Sequence, residues 1–197
     1  LADVRSNNLP HGDLSVREFQ THEELNKLLI AEVAAEMRSA GLSVKDEQPY
    51  IAFNSWLDLI GDPALDRFQI LAPLRKVEGV GIDDINLWLQ TWLRGSFMNS
   101  ESYGVKKVGQ FTQWDKILFR KNRDLFSGWD HAKKQKFTVH VTNGQLGVIC
   151  TLDKHGSSKQ IRVKLPEHPG CSVTIPAGTA MDLCELAYAT TVHKAQG

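Results

Sequence analysis

The feature that most restricts the fold of this chain is a change of sequence pattern near Val108. The stretch beyond it contains five short apolar segments: DKILFRK, FTVHVT, QLGVICTL, QIRVKL and CSVTI. Turn residues separate these segments, among them the Asn-Gly pair at 143–144. Repeated short strands with such turns predict a small antiparallel β-barrel.

The sequence on either side of this stretch has a different pattern, in which helices and strands alternate. Residues 21–40 predict an amphipathic helix, with Thr21 and Glu24 as a capping box and Gly41 as the stop signal. A second helix is predicted to begin near Ile82 and to end at Gly95. The run RFQILAP at 67–73 is almost continuously apolar, as expected for a buried strand of a parallel sheet.

The predicted organisation is therefore an α/β domain interrupted by an inserted barrel. Its three parts are residues 1–108, residues 109–178 for the barrel, and residues 179–197 for the return to the α/β domain. The chain has 197 residues and no start methionine, and both of its ends are expected to be cuts through a longer protein.

Composition excludes several classes of protein. Lysine plus arginine equal aspartate plus glutamate at 23 each, so the chain is not a uniformly basic nucleic-acid coat. The three cysteines form no CxxC pair, which predicts reduced thiols, no structural metal and a cytoplasmic location. No charged-then-apolar leader opens the chain, and no apolar run is long enough to span a bilayer, so no membrane partner is expected.

Two polar loops follow predicted strands and are candidates for phosphate chemistry. Arg75 and Lys76 come just after the strand at 67–73, where ligands bind in open α/β sheets. An arginine at that place can stabilise charge on a transferring phosphoryl group, although a solvated basic turn is the simpler interpretation.

The second loop, TTVHKAQG at 190–197, also follows a predicted strand and should lie at the same edge of the sheet. Thr191 and Lys194 are typical phosphate donors, and His193 can bond a phosphate or stack on a base. Gln196 and Gly197 allow the backbone to come close to a ligand. A lone histidine is usually structural, but four polar groups in six residues favour function.

The predicted barrel carries a third signal, in which basic and aromatic residues alternate. Residues 115–136 contain seven basic residues against three acidic ones, and Lys116 and Arg120 are among the basic ones. This mixture suits single-stranded nucleic acid, whose bases stack while its phosphates pair with cations. Phe119 and Phe137 are expected in the barrel core, whereas Trp129 lies in a predicted loop and is the better stacking candidate.

Two motifs are missing from the sequence. It contains no GxxxxGK[ST] phosphate loop, and no acidic pair follows a strand where it could hold Mg²⁺. This chain alone is therefore not expected to hydrolyse ATP.

Several stretches together resemble superfamily 1 DNA helicases of the RecD-like branch, which includes the exonuclease V alpha subunit, conjugative relaxase-helicases and Dda-type helicases. YATTVHKAQG resembles motif V and FQILAPLRK resembles motif IV. GIDDINLWLQ is similar to the helix that follows, while DKILFRKNRD and VTNGQLGVI resemble an SH3-like barrel inserted in the second motor domain. The matches, which start with VRSNNLPHGD, run in family order over nearly the whole chain.

The resemblance implies a RecA-like second motor domain, incomplete, that works with a first motor domain of the same polypeptide. ATP and Mg²⁺ would be bound mainly by that first domain, with Arg75 facing the γ-phosphate and Lys76 as the alternative. Gln196 and Gly197 would form the turn that couples the DNA strand to the nucleotide.

The DNA contacts implied by the resemblance are Thr191, His193 and Lys194 of motif V, together with residues of the barrel that guides the strand. The barrel candidates are Trp129, Lys116, Arg120 and Asn143. The implied activity is ATP-driven translocation on single-stranded DNA, usually from 5′ to 3′. Other subunits of a helicase–nuclease complex are further candidate partners.

Two other functions remain open at this point. The chain could be a stand-alone single-stranded nucleic-acid-binding module without a motor, or a non-catalytic docking subunit of a helicase–nuclease complex.

The sequence departs from the family pattern at the start of the barrel, where the family has Gly-Asp and this chain has Trp114-Asp115.

Overall fold

The computed structural model describes residues 17–98, 107–155 and 158–191. The described residues form four α-helices: α1 His22–Ser39, α2 Pro49–Trp56, α3 Ile82–Met98 and α4 Ala177–Leu183. They also form nine strands: β1 Ile70–Ala72, β2 Lys116–Phe119, β3 Arg123–Asp130, β4 Gln135–Val141, β5 Leu146–His155, β6 Ser158–Lys164, β7 Cys171–Pro176, β8 Cys184–Leu186 and β9 Ala189–Thr191.

Helix α1 begins and ends where its sequence predicts. The Thr21 hydroxyl accepts a hydrogen bond from the Glu24 amide at 3.2 Å, which satisfies one free donor of the first turn. At the other end Gly41 has a φ of +81°, and its amide donates to the Arg38 carbonyl at 2.9 Å. The Leu42 amide donates to the Met37 carbonyl, which completes a Schellman cap.

Helix α3 begins at Ile82 as predicted, but it continues past Gly95 to Met98. The prediction that Gly95 ends it is therefore wrong. A glycine in a helix costs roughly 1 kcal/mol relative to alanine, and the packing of the neighbouring side chains Leu93 and Arg94, each 1% exposed, offsets that cost here.

Strands β1 and β9 form a two-stranded parallel sheet, with Ile70 opposite Ala189 and Ala72 opposite Thr191. The predicted parallel strand is confirmed, although it is short and its central residue, Leu71, is half exposed. Helix α3 contacts β9. The chain between β1 and β9 contains α3 and the whole antiparallel sheet.

The remaining seven strands form one antiparallel sheet, in the order β4-β3-β7-β6-β5-β2-β8. It contains all five predicted strands and two that were not predicted, β3 and β8. Strand β8 lies beyond residue 178, the predicted end of the inserted unit, and pairs with β2. The two parts of the chain share one apolar core, which extends from Met37 and Phe53 to Val163 and Ile175.

This sheet curls strongly but does not close. Strands β4 and β5 are four positions apart, or about 19 Å at the usual strand spacing. Only residues 142–145 connect them, and they form a turn in which Gly144 has a φ of +91°. From Val141, the last residue of β4, to Leu146, the first of β5, the chain advances five residues and reaches at most about 17 Å. The sheet must therefore bend to bring these two strands together. Among the described residues β4 and β8 are the outer strands of the sheet. The predicted antiparallel unit is therefore confirmed as a curled sheet, and no closed barrel is found.

No helix in the described part of the chain combines the length and the hydrophobicity needed to cross a bilayer. Cys184 is buried, whereas Cys150 and Cys171 are partly exposed, and all three are free thiols.

Candidate functional site

The parallel pairing of β1 and β9 places the carboxyl ends of both strands at one edge of the small sheet. Ala72 and Thr191 are register partners, and both strands run in the same direction. The chain therefore leaves β1 towards Arg75 at the same edge where it leaves β9. Thr191 lies at that edge, half-buried. His193, Lys194, Gln196 and Gly197 lie outside the described residues.

The Arg75 loop is fixed by the start of helix α3. The Arg75 carbonyl accepts from the Asp83 amide at 3.4 Å, and the Leu74 carbonyl accepts from Ile82 at 3.2 Å. A β-carbon on Gly81 would lie 2.5 Å from the Arg75 carbonyl oxygen, so only glycine fits there. The second glycine of VEGVG thus allows the loop to fold back tightly onto the helix.

The guanidinium of Arg75 is paired with two carboxylates. Its Nη2 lies 2.5 Å from Glu185 Oε2 and 3.4 Å from Asp83 Oδ1. The hydrogen bond to Glu185 raises the pKa of Arg75 above its ordinary value. Glu185 belongs to β8, so this contact ties the antiparallel sheet to the phosphate loop. A phosphate would have to compete with Glu185 for this guanidinium. Lys76 beside it is exposed.

A cavity of about 380 Å³ adjoins this pair, and Arg75, Arg120, Asp83 and Glu185 line it. The predicted nucleotide contact and one predicted DNA contact therefore face the same space. Arg120 is held by the carbonyls of Met181 and Asp182, to which its Nη2 donates at 3.3 and 2.6 Å. Two cations and two carboxylates balance each other in this cavity.

Cys184 also lines this cavity, but it is a poor nucleophile at neutral pH. Burial raises the pKa of its thiol to about 12. Asp83 and Glu185 both contact Arg75, and no group of three or more histidine, cysteine or acidic side chains in the described ranges could hold a metal ion. The carboxylates of Asp83 and Glu185 pair with Arg75. The described part of the chain offers no set of ligands for Mg²⁺.

Lys116 does not fit its predicted role as a DNA contact, because it is fully buried. Its Nζ donates to the Leu65 carbonyl at 2.6 Å and to the Phe68 carbonyl at 2.7 Å. Burial lowers the pKa of this amine to about 8, against the opposing effect of Asp66. Lys116 anchors the segment that leads into β1, and a phosphate outside the protein cannot reach it.

Trp129 lies in strand β3 and not in the predicted loop, which corrects that prediction. Its neighbours across the sheet are Lys136 on β4 and Ser172 on β7. The residue is 39% exposed, so its ring can be reached from solvent beside an exposed lysine. A partly exposed tryptophan next to a cation on the face of a sheet is suitable for stacking a base.

The remaining barrel candidates are as follows. Phe119 is fully buried in the core, as predicted, and Phe137 packs against the core with its ring 5.9 Å from that of His168. Asn143 is exposed in the turn after β4, where its backbone N–H donates to Asn122 Oδ1 at 2.7 Å. Its side chain is therefore available to a ligand at the surface.

Helix α3 carries a buried polar row that was not predicted from the sequence. Asn86, Gln90 and Arg94 are spaced by four residues, so they share one helix face, and each is at most 4% exposed. Asn86 donates to the carbonyls of Leu186 and Ala189 and accepts from the Ala189 amide. The row therefore fixes the link between β8 and β9. The four-residue spacing beside Ile85, Leu89 and Leu93 is the signal that could have revealed it.

The other two members of the row meet a buried carboxylate. Asp115 accepts from Gln90 Nε2 at 2.5 Å, from the Thr112 amide at 2.8 Å and from the Tyr188 hydroxyl at 2.8 Å. Arg94 Nε lies 3.9 Å from Asp115 Oδ1. Burial raises the pKa of Asp115 to about 6, although Arg94 opposes this shift.

Arg94 also reaches outside the row, to Asn54 Oδ1 of α2 and to the Trp114 carbonyl, at 2.6 and 2.5 Å. Its guanidinium lies 5.5 Å from the centre of the Phe53 ring. The cluster thus joins α2, α3, the start of β2 and the residue before β9. It sets the position of β9 and hence of Thr191.

No protein-family model matches this chain, and no curated protein sequence matches it either.

Proposed function

We propose that this chain is part of an ATP-driven motor that moves along single-stranded DNA, and that it supplies a RecA-like second motor lobe with an inserted, SH3-like antiparallel unit. The observation that carries the proposal is the topology. An antiparallel sheet is inserted between two strands, β1 and β9, that pair in parallel. Both strands end at one edge, with Ala72 opposite Thr191, and the two polar segments named from the sequence follow these ends in the chain.

In this proposal Arg75 approaches the γ-phosphate of ATP, which a first lobe of the longer protein binds together with Mg²⁺. The guanidinium suits a phosphate in charge and shape. Its contact with Glu185 holds it in place until a nucleotide competes for it. Lys76, Gln196 and Gly197 are the further nucleotide contacts of this proposal.

The DNA strand is proposed to run past Thr191, His193 and Lys194 at the sheet edge. The surface contacts of the antiparallel unit are Trp129, Arg120 and Asn143, and Lys116 is withdrawn from this set because it is buried. Closure of the two lobes on ATP would shift the β1–β9 edge, and with it the strand.

A second candidate is a single-stranded nucleic-acid-binding module that works without a nucleotide. The pairing of exposed Trp129 with Lys136 favours it, because base stacking beside a cation needs no second lobe.

Binding of a fluorescent single-stranded oligonucleotide over a salt series tests both candidates. We expect affinity to fall steeply with salt, since each phosphate contact releases counterions. Trp129→Ala should weaken binding at least fivefold, as loss of one stacking platform does, and His193→Ala should weaken it as well. The matched control is Phe19→Ala, which removes an aromatic ring of similar exposure (42%) outside the sheet. Absence of binding at low salt would contradict both candidates.

ATP hydrolysis by the longer protein separates the motor from the module. Arg75→Ala should lower kcat by a factor on the order of 10³ or more if Arg75 meets the γ-phosphate. The control is Arg38→Ala, which removes an exposed arginine of helix α1 that has no part in the proposed site. Strand binding without DNA-stimulated hydrolysis would favour the module.

A further inference from the structure

A second cavity, of about 540 Å³, lies against the parallel strand pair and away from Arg75. Leu71 of β1 and Thr190 of β9, which are register partners, both line it. Three more leucines and a proline line it as well, namely Leu65, Leu118, Leu146 and Pro166. Its size falls within the range of about 300–1,000 Å³ that is usual for ligand sites, and its walls are mainly apolar, as in such sites.

The charges around this cavity exclude a phosphate as the group that enters it. Asp66 and Glu167 are among the lining residues, and none of the lining residues is basic. Lys116 lies close by but is engaged by the carbonyls of Leu65 and Phe68. The part of a ligand that enters this cavity is therefore neutral or cationic.

The polar groups of the cavity suit a ligand that carries a hydrogen-bond acceptor and hydrogen-bond donors on one edge. Gln69 Oε1 accepts from Lys116 Nζ at 3.3 Å, which fixes the orientation of the amide. Gln69 Nε2 is buried and has no hydrogen-bond partner. An unsatisfied buried donor costs roughly 1–3 kcal/mol, and a carbonyl oxygen of a ligand beside Gln69 would supply the missing partner.

The same cavity offers acceptors for N–H groups. Glu167 Oε2 accepts a single bond of 3.1 Å from Gln145 Nε2, and a carboxylate has lone pairs for further donors. A nucleobase is flat and apolar on its faces and carries such groups on its edge. In guanine a carbonyl oxygen stands next to two N–H donors, which matches an amide donor with carboxylates nearby.

The location favours a nucleobase over a peptide side chain. Thr190 precedes the proposed strand contact Thr191, and Gly144 of the lining follows the proposed contact Asn143. Two segments far apart in sequence, each next to a proposed strand contact, therefore meet at this cavity.

We propose that this cavity accepts one nucleobase, guanine in preference to the others, from a single strand whose phosphates stay outside it. The proposal rests on the proposed function, since it needs a single strand at the β1–β9 edge. Beyond the proposed function, the cavity proposal names a site at which the protein binds one base of the strand, and it predicts a preference for guanine at that site.

The test compares three labelled oligothymidylates that carry one central guanine, one central adenine or one central abasic residue. The protein should bind the guanine oligonucleotide at least fivefold more tightly than the abasic one. Leu71→Trp fills the cavity and should abolish this difference while binding to the abasic oligonucleotide persists. Ile51→Trp on α2 is the matched control, because Ile51 and Leu71 are both 49% exposed and Ile51 does not line the cavity.

Gln69→Glu provides a second variant that changes chemistry and not volume. It keeps an oxygen for Lys116 and replaces the amide donor with an acceptor, so the preference should move from guanine towards adenine, whose amino group donates. Equal affinity of the unchanged protein for the guanine and abasic oligonucleotides would overturn the cavity proposal alone. Retention of the difference in Leu71→Trp would also overturn it. Failure to bind any of the three would overturn the proposed function as well.

Discussion

At the scale of single residues, burial decides what a charged side chain does in this protein. Lys116 and Arg120 are four positions apart in the same basic stretch, and the sequence assigns them the same role. Lys116 is fully buried and binds backbone carbonyls, whereas Arg120 is exposed. The carbonyl partners of Lys116 lie about 50 residues earlier in the chain. A local pattern cannot show such partners, so this part of the candidate site could not be predicted from the sequence.

Asp115 should make the stability of the protein depend on pH in an unusual direction. Its pKa is near 3.8 in the unfolded chain and about 6 in the folded protein, mainly because burial disfavours the charged form. Between these values the folded state holds a proton that the unfolded state has lost. The free energy of unfolding should therefore fall as pH rises from about 4 to about 6, by roughly 3 kcal/mol for this group.

Urea unfolding of the protein and of Asp115→Asn over this pH range measures the effect as the difference between the two curves. Asp46→Asn removes one exposed negative charge and serves as the control. A difference that changes in the opposite direction would mean that pairing with Arg94 outweighs burial.

At the scale of elements, local signals predict helix ends well where the backbone itself enforces them. The cap of α1 at Thr21 and its stop at Gly41 were both predicted, because each depends on neighbouring residues. The end of α3 was not, since Gly95 adopts a helical conformation and tertiary packing decides the outcome. Strand β3 was missed because Ser127 and Gly128 interrupt its alternating pattern, and only pairing with β4 and β7 makes it a strand.

Two glycine substitutions should have opposite effects on stability. Gly41→Ala forces a side chain into a left-handed conformation and should lower the free energy of unfolding by about 1 kcal/mol. Gly95→Ala should raise it by roughly 0.5–1 kcal/mol, because the helix already holds the residue and a β-carbon there meets nothing within 4 Å. Chemical denaturation measures both, and a shift of the same sign in the two variants would contradict the assignment.

At the scale of the whole molecule, a polar row and not apolar packing alone fixes how the two sheets are arranged. Asn86 of α3 makes three hydrogen bonds with the link between β8 and β9, which belong to different sheets. The sequence predicts the parallel strand and the inserted antiparallel unit, but it does not predict this connection. Its donors and acceptors lie about 100 residues apart and carry no local pattern.

Asn86→Ala should lower the free energy of unfolding by roughly 2–3 kcal/mol, because it leaves three buried backbone groups without partners. The control is Thr91→Ala on the exposed face of the same helix, expected within about 0.5 kcal/mol. Hydrogen exchange at the Ala189 amide should accelerate in Asn86→Ala and not in the control. Unchanged exchange there would show that Asn86 does not hold the link.

The pairing of β1 with β9 has a consequence for how the protein is made. The two strands lie about 120 residues apart, and a ribosome adds about 5–20 residues per second. A newly made β1 therefore waits on the order of 10 s without its parallel partner, with half-exposed Leu71 in its centre. During that time its edge is open to other chains. Slower translation should therefore increase aggregation of the nascent protein. The risk is limited because β1 has only three residues and offers few backbone groups for pairing with another chain.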